Sequence, residues 1–109
     1  MPAYAIAHLR EVAFGDEIAT YIARIDETLA PFGGRFLIHG ATPEVLEGHW
    51  EGDLVMIAFP DADAARRWYR SDAYQAIRPL RTRNAQGCAL IIEGVPEGYA
   101  AAELLAKLG

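Results

Sequence analysis

Between Asp53 and Pro60 the chain runs through six consecutive apolar residues, Leu54 to Phe59, with no polar position to mark a solvent side. Such a run predicts a strand buried on both faces. Ala3 to Leu9 and Ala89 to Ile92 read as strands of the same kind. In the first, two-residue alternation puts Tyr4, Ile6 and His8 on one face and Ala5, Ala7 and Leu9 on the other. The helical patterns are only two, enough to cover one side of a sheet. The expectation is that a second copy of the chain covers the other side.

The first strand is predicted over Ala3 to Val12. Ile18, Tyr21, Ile22, Ile25, Leu29 and Phe32 then recur at helical spacing behind a cap at Gly15 or Asp16, and Gly33-Gly34 ends that helix. Arg35 to His39 begins a second strand. Val45 to Gly48 extends it past the turn residues Gly40 to Pro43, and Glu51-Gly52-Asp53 turns into the third strand, which predicts a long hairpin. Asp61 or Asp63 caps a helix reaching about Arg70, and Ser71-Asp72 caps a second piece carrying Tyr74, Ile77 and Leu80. The last strand is Gly87 to Glu93.

The order βαββαβ predicts an α+β, ferredoxin-like fold, a four-stranded antiparallel sheet with its helices on one face. Residues 1–95 form this domain. The tail, 96–109, follows Val95-Pro96-Glu97-Gly98 and carries Tyr99, Leu104, Leu105 and Leu108 as a short amphipathic helix.

Length and composition change this picture little. The 109 residues suit one domain, and 52% hydrophobic with 23% charged residues excludes a disordered chain. No apolar run approaches a membrane span. Met1-Pro2-Ala3-Tyr4 enters strand sequence with no secretory signal, so a cytoplasmic location is expected. A net charge of −5 argues against nucleic-acid binding. The charge is uneven: Arg66, Arg67, Arg70, Arg78, Arg81 and Arg83 stand against Asp72 alone, so residues 66–83 carry +5 and the remainder −10. Cys88 is the only cysteine, which excludes an internal disulfide and reads as a buried small apolar residue.

Several segments together resemble one family: Ala3 to His8, Phe32 to Leu37, Val45 to Trp50 and Ile57 to Pro60. The likeness continues through Ala64 to Tyr69, Ser71 to Gln75, Pro79 to Arg81 and Ile92 to Gly94. Over residues 3 to 94 the chain is similar to the family called domain of unknown function 1330. The resemblance implies a dimeric α/β barrel, in which two ferredoxin-like sheets pack face to face. Related dimeric barrels include cofactor-independent oxygenases, lactone isomerases and haem proteins, among which fold alone does not choose.

The candidate site is a cleft between sheet and helices, with Tyr4, His8, Arg35, Trp68, Tyr69, Tyr74 and Arg81 as its lining. Aromatic walls with a few polar groups suit a small organic acid or aromatic compound, and arginine holds a carboxylate through paired hydrogen bonds. Each aromatic also has an ordinary reading as core. His8 is the candidate general acid or base, with a hydrogen-bonded structural histidine as the alternative. Glu47 is its candidate partner across the hairpin, and His39 and His49 would meet across the same hairpin. No tight metal motif, phosphate loop, dinucleotide pattern or nucleophile elbow occurs, and no metal or cofactor is expected. Two function classes follow: a homodimeric cofactor-independent oxygenase or isomerase, with His8 moving protons and Arg35 or Arg81 fixing the anion, or a dimer that binds a metabolite or serves as structure without catalysis. Haem binding is a third reading.

Overall fold

The first strand forms with the bounds expected of it: in the computed structural model, which describes residues 1–109, β1 spans Ala3–Val12. Helix α1 (Asp16–Leu29) follows, with Asp16 and Glu17 in its first turn, where a carboxylate meets the positive end of the helix dipole. A single 3-10 turn, Ala30–Phe32, leads into β2 (Arg35–Ile38), and β3 is Asp53–Phe59. The second helical region is divided into α2 (Ala62–Arg70) and α3 (Asp72–Thr82). Each has its own cap: the Asp61 carboxylate accepts from the Ala64 N–H at 2.8 Å, and the Ser71 hydroxyl from the Tyr74 N–H at 3.2 Å. The last strand, β4, is Ala85–Glu93, two residues longer at its start than expected. A 3-10 turn, Ala101–Glu103, and α4 (Leu104–Leu108) close the chain. No helix is long and apolar enough to cross a membrane.

The strands lie in the order β2-β3-β1-β4, every neighbouring pair antiparallel, which is the ferredoxin-like sheet. β1 is central. It pairs with β3 from Ala3↔Phe59 to Leu9↔Asp53, and with β4 from Ala3↔Glu93 to Leu9↔Gly87. Beyond Leu9 the β4 register shifts, so that Glu11 faces Gln86. Gly52 and Gly87 stand against β1 at this point, with positive φ of 91° and 155°. A Cβ on Gly52 would meet the Leu9 carbonyl oxygen, and one on Gly87 the His8 carbonyl oxygen, each well inside contact distance. Only glycine fits there.

One face of the sheet carries the helices. The fully buried Ala3 and the small Ala62 and Ala65 let α2 lie close on the strands. The core joins Ile57 and Phe59 of β3 to Ala65, Trp68, Tyr74 and Ile77 of α2 and α3, and to Ile25 and Leu29 of α1. Helix α1 packs chiefly on α3 and stands away from the strands. Buried Thr28 ties α1 to α2: its hydroxyl donates to the Ile25 carbonyl at 2.7 Å and accepts from Trp68 Nε1 at 2.9 Å.

The other face is open. Tyr4, Ile6 and His8 share it with Leu54, Met56 and Ala58 of β3 and with Cys88, Leu90 and Ile92 of β4, as the pairing register requires. Leu90 and Ile92 are 50% and 52% exposed. Cys88 is exposed on this face and not buried as expected, because no element of the chain covers it. The accessible surface is 7550 Å², against roughly 5,900 Å² for a compact monomer of this mass. The radius of gyration is 15.6 Å, against about 13 Å for a compact chain of this length.

The long hairpin does not form. β2 stops at Ile38, and residues 39–52 contain no strand, so Val45 to Gly48 does not extend it. Pro43 has no N–H to give a ladder, and Trp50 and Glu51 turn instead onto His8.

Replacing Thr28 by the near-isosteric valine leaves the Trp68 indole N–H buried without an acceptor. Urea unfolding of Thr28→Val is expected to give a stability lower by about 1–3 kcal/mol. Gly87→Ala, which places a methyl against the β1 backbone at positive φ, is expected to lose more than about 1 kcal/mol by the same measurement.

Candidate functional site

The stand-off of α1 leaves space. Ala5 and Ala7 of β1 and Ala89 of β4 have too little side chain to fill the gap beneath it, and a cleft of about 620 Å³ opens between sheet and helices. Its floor is completed by Val55, Ile57 and Ile91, and its roof by Ile18, Tyr21, Ile22 and Ile25 of α1. Trp68, Tyr69, Tyr74 and Arg81 form one wall, and Phe14 lies exposed along the rim. Apart from Arg81, His39 and Asp53, the lining side chains are apolar or aromatic.

The polar atoms of the wall converge. Tyr21 and Tyr74 hydroxyls are 2.8 Å apart, Arg81 Nη2 donates to the Tyr74 hydroxyl at 3.4 Å, and the guanidinium sits 5.9 Å from the Tyr21 ring centroid. Two helices bring these groups together: Tyr21 comes from the apolar stripe of α1, Tyr74 from the first turn of α3 and Arg81 from the last turn of α3, where a cation suits the helix dipole. Burial pushes the Tyr21 phenol well above its ordinary value, Tyr74 adds to this, and Arg81 opposes it. Burial works against the Arg81 charge, but Tyr74 and then Tyr21 outweigh it and hold the guanidinium above its usual value.

Trp68 and Tyr69 differ in role. Trp68 is buried, with its ring 4.2 Å from Tyr74 and 5.4 Å from Phe59 by centroid and its N–H spent on Thr28, so it is core that also closes the cleft. Tyr69 is half-buried, and its hydroxyl accepts from Arg78 at 3.1 Å. Of the other arginines, Arg83 pairs with Glu17 of α1 and Arg67 with Asp63 of its own helix at 3.9 Å. Arg83, with help from Asn84, holds the Glu17 carboxyl below its ordinary value.

The seven residues expected to share one site are divided by the sheet. Trp68, Tyr69, Tyr74 and Arg81 meet at the cleft. Tyr4 and Arg35 flank Ala58 on the open face, where they line a separate hollow of about 350 Å³ with Pro2, Leu37 and Pro60. His8 is also on the open face, away from the cleft, because it alternates with Ala7 and Leu9. Its Nε2–H donates to the Glu51 carbonyl at 2.6 Å, and its ring stacks on Trp50 with centroids 4.3 Å apart. Glu47 is exposed and is not its partner. His39 stacks on Phe36 and His49 meets the Glu51 carboxylate at 3.1 Å, so the two do not meet across a hairpin. No group of three or more histidine, cysteine, aspartate or glutamate side chains is placed to hold a metal. Tyr21 is the residue that sequence reasoning left in the core. Its signal was the one hydroxyl on an otherwise apolar helical stripe, since a polar atom on a buried face demands a partner.

The Tyr21 phenol titrates higher in the folded chain than its ordinary value of 10.0. Its neutral form therefore contributes stability that is complete below pH 10 and is lost as pH rises above it. Denaturant midpoints measured at pH 9 and pH 11 are expected to fall across that interval, and Tyr21→Phe is expected to reduce the fall.

No curated protein matches the chain in sequence. Among solved structures it is similar to a protein of unknown function from Rhodopseudomonas palustris, RPA0582, at 17% identity and a TM-score of 0.62, covering 87% of this chain and 83% of that one. It is similar to a dimeric ferredoxin-like protein of unknown function from Jannaschia sp. CCS1, at 13% identity and a TM-score of 0.64, over 86% of this chain and 100% of that one. SnoaB, a cofactor-independent oxygenase from Streptomyces nogalater, matches at 14% identity and a TM-score of 0.61, over 89% of this chain and 96% of that one. At such identities the likeness is one of fold. In sequence, the model of the family described as domain of unknown function (DUF1330) matches residues 2–95, nearly all of the chain before its tail, and the chain belongs to that family.

Proposed function

We propose that the protein is a homodimer joined through the open faces of its two sheets, and that the cleft of each protomer binds one small, largely apolar organic compound. The observation that carries the binding reading is the cleft itself, about 620 Å³ of apolar space with a single convergent cluster of polar groups. That composition is typical of small-molecule sites, where apolar walls give affinity and a few polar atoms fix orientation. The dimer reading is supported by exposed Leu90 and Ile92 on the sheet and by an accessible surface some 1,600 Å² above that of a compact monomer. A standard interface takes about 800 Å² from each partner. The similar protein from Jannaschia is itself described as dimeric.

SnoaB, of similar fold, is a cofactor-independent oxygenase, and by that analogy the reading extends to chemistry on the bound compound without a cofactor. In this reading Arg81 and the two tyrosines orient the compound. His8 takes no part at the cleft, since its Nε2 is engaged by Glu51 on the far side of the sheet, and it serves to hold residues 50–52 against β1.

Light scattering on freshly purified protein is expected to give twice the 11.9 kDa chain mass. Ile92→Asp, which puts a charge among the exposed apolar side chains of the open face, is expected to weaken the dimer by at least roughly tenfold. Mass spectrometry of what denaturation releases is expected to find an aromatic or apolar organic compound. A monomer at all concentrations overturns the dimer, and a protein that releases nothing and takes up no apolar fluorescent dye overturns the cleft.

A further inference from the structure

We infer that the cleft selects compounds bearing an anionic oxygen, a carboxylate or phenolate, and that the Tyr21 hydroxyl is the group that donates to it. This rests on the reading of the cleft as a small-molecule site and adds which chemistry the site prefers. The argument begins from proton accounting. Arginine only donates, so the Tyr74 oxygen accepts from Arg81. Tyr74 is buried, and the Tyr21 oxygen is the one acceptor within reach of its hydroxyl proton. Were Tyr21 to donate to Tyr74, the Tyr74 proton would be left buried without an acceptor, a costly arrangement. Tyr74 therefore donates to Tyr21. The Tyr21 oxygen is then an acceptor on one side, and its own O–H is free. Tyr21 is only half-buried and lines the cleft, so that O–H is available to a ligand.

Charge gives the sign of the partner. The ion pairs of the chain are His49–Glu51, Arg67–Asp63 and Arg83–Glu17, and Arg81 is in none of them. A half-buried guanidinium on an apolar wall, with two neutral phenols as its neighbours, lacks a counter-charge. Asp53, the one carboxylate on the lining, forms no ion pair with it. An anionic oxygen accepting from Tyr21 would face a donor already polarised through Tyr74 by the cation, and such charge-assisted bonds are the strong ones.

Three matched probes separate the contributions: 2-naphthoate, 2-naphthamide and 2-methylnaphthalene, each titrated calorimetrically at pH 7.5. The naphthoate is expected to bind roughly tenfold or more tighter than the amide and the hydrocarbon. In Tyr21→Phe, whose fold is checked by its thermal unfolding, that advantage is expected to fall about tenfold, while the hydrocarbon binds within about twofold of its original affinity. Equal binding of naphthoate and naphthamide overturns the inference and leaves the cleft standing. So does an acid advantage unchanged in Tyr21→Phe. Failure of all three probes to bind overturns the cleft, and the inference with it.

Discussion

The helix side of β1 is built from Ala3, Ala5 and Ala7, and the rest of the structure follows from how little space these residues fill. β1 lies in the middle of the sheet, hydrogen-bonded on both sides, so its helix face is the centre of the floor on which the helices must pack. Where the covering helix is also lined with alanine, as in α2, small meets small and the backbones approach until Ala3 and Ala65 are sealed. α1 has isoleucines and a tyrosine in place of alanines, and it rests against α3 instead. Between a floor of methyl groups and a roof held off by its neighbour, the packing does not close. The cleft is thus a property of residue sizes along one strand.

A single packed layer of helices leaves the sheet with two very different sides. The helix side has a core, an incompletely filled space and one polar cluster. The open side has Ile6, Met56, Leu90 and Ile92 in a thin molecule whose shortest dimension is 20 Å. An apolar surface of this breadth is uncommon on a monomer. In the proposed homodimer, the second chain is what covers this side.

Much of the fold was legible because local rules and tertiary packing agree. Alternation placed β1 from Ala3 to Val12, the apolar stripe placed α1, and Asp61 and Ser71 proved to be the caps their positions suggested. The segment after β2 was misread because Val45 and Leu46 have strand propensity, while propensity is silent about whether a ladder partner exists. Cys88 was misread for a related reason: burial in an apolar strand depends on which faces are covered. The candidate site was half legible. Tyr74 and Arg81 lie seven residues apart on α3 and meet as helical spacing allows, but Tyr4 and His8 were grouped with them although they alternate with Ala5 and Ala7. Alternation tells which residues share a face, and it does not tell which face the helices take.

That sidedness is maintained at one place. In a strand, a slip of one residue exchanges the two faces wholesale, and for β1 it would send Tyr4, Ile6 and His8 into the cleft and carry Ala5 and Ala7 out to the open side. β1 is held near Leu9 by Gly52 on one flank and Gly87 on the other, each admitting a β1 carbonyl into space that any side chain would occupy. After a slip, larger neighbours would meet those carbonyls. Two residues with no side chain of their own therefore act as the key of a lock, deciding which half of the β1 side chains lines the cleft and which becomes the outer wall.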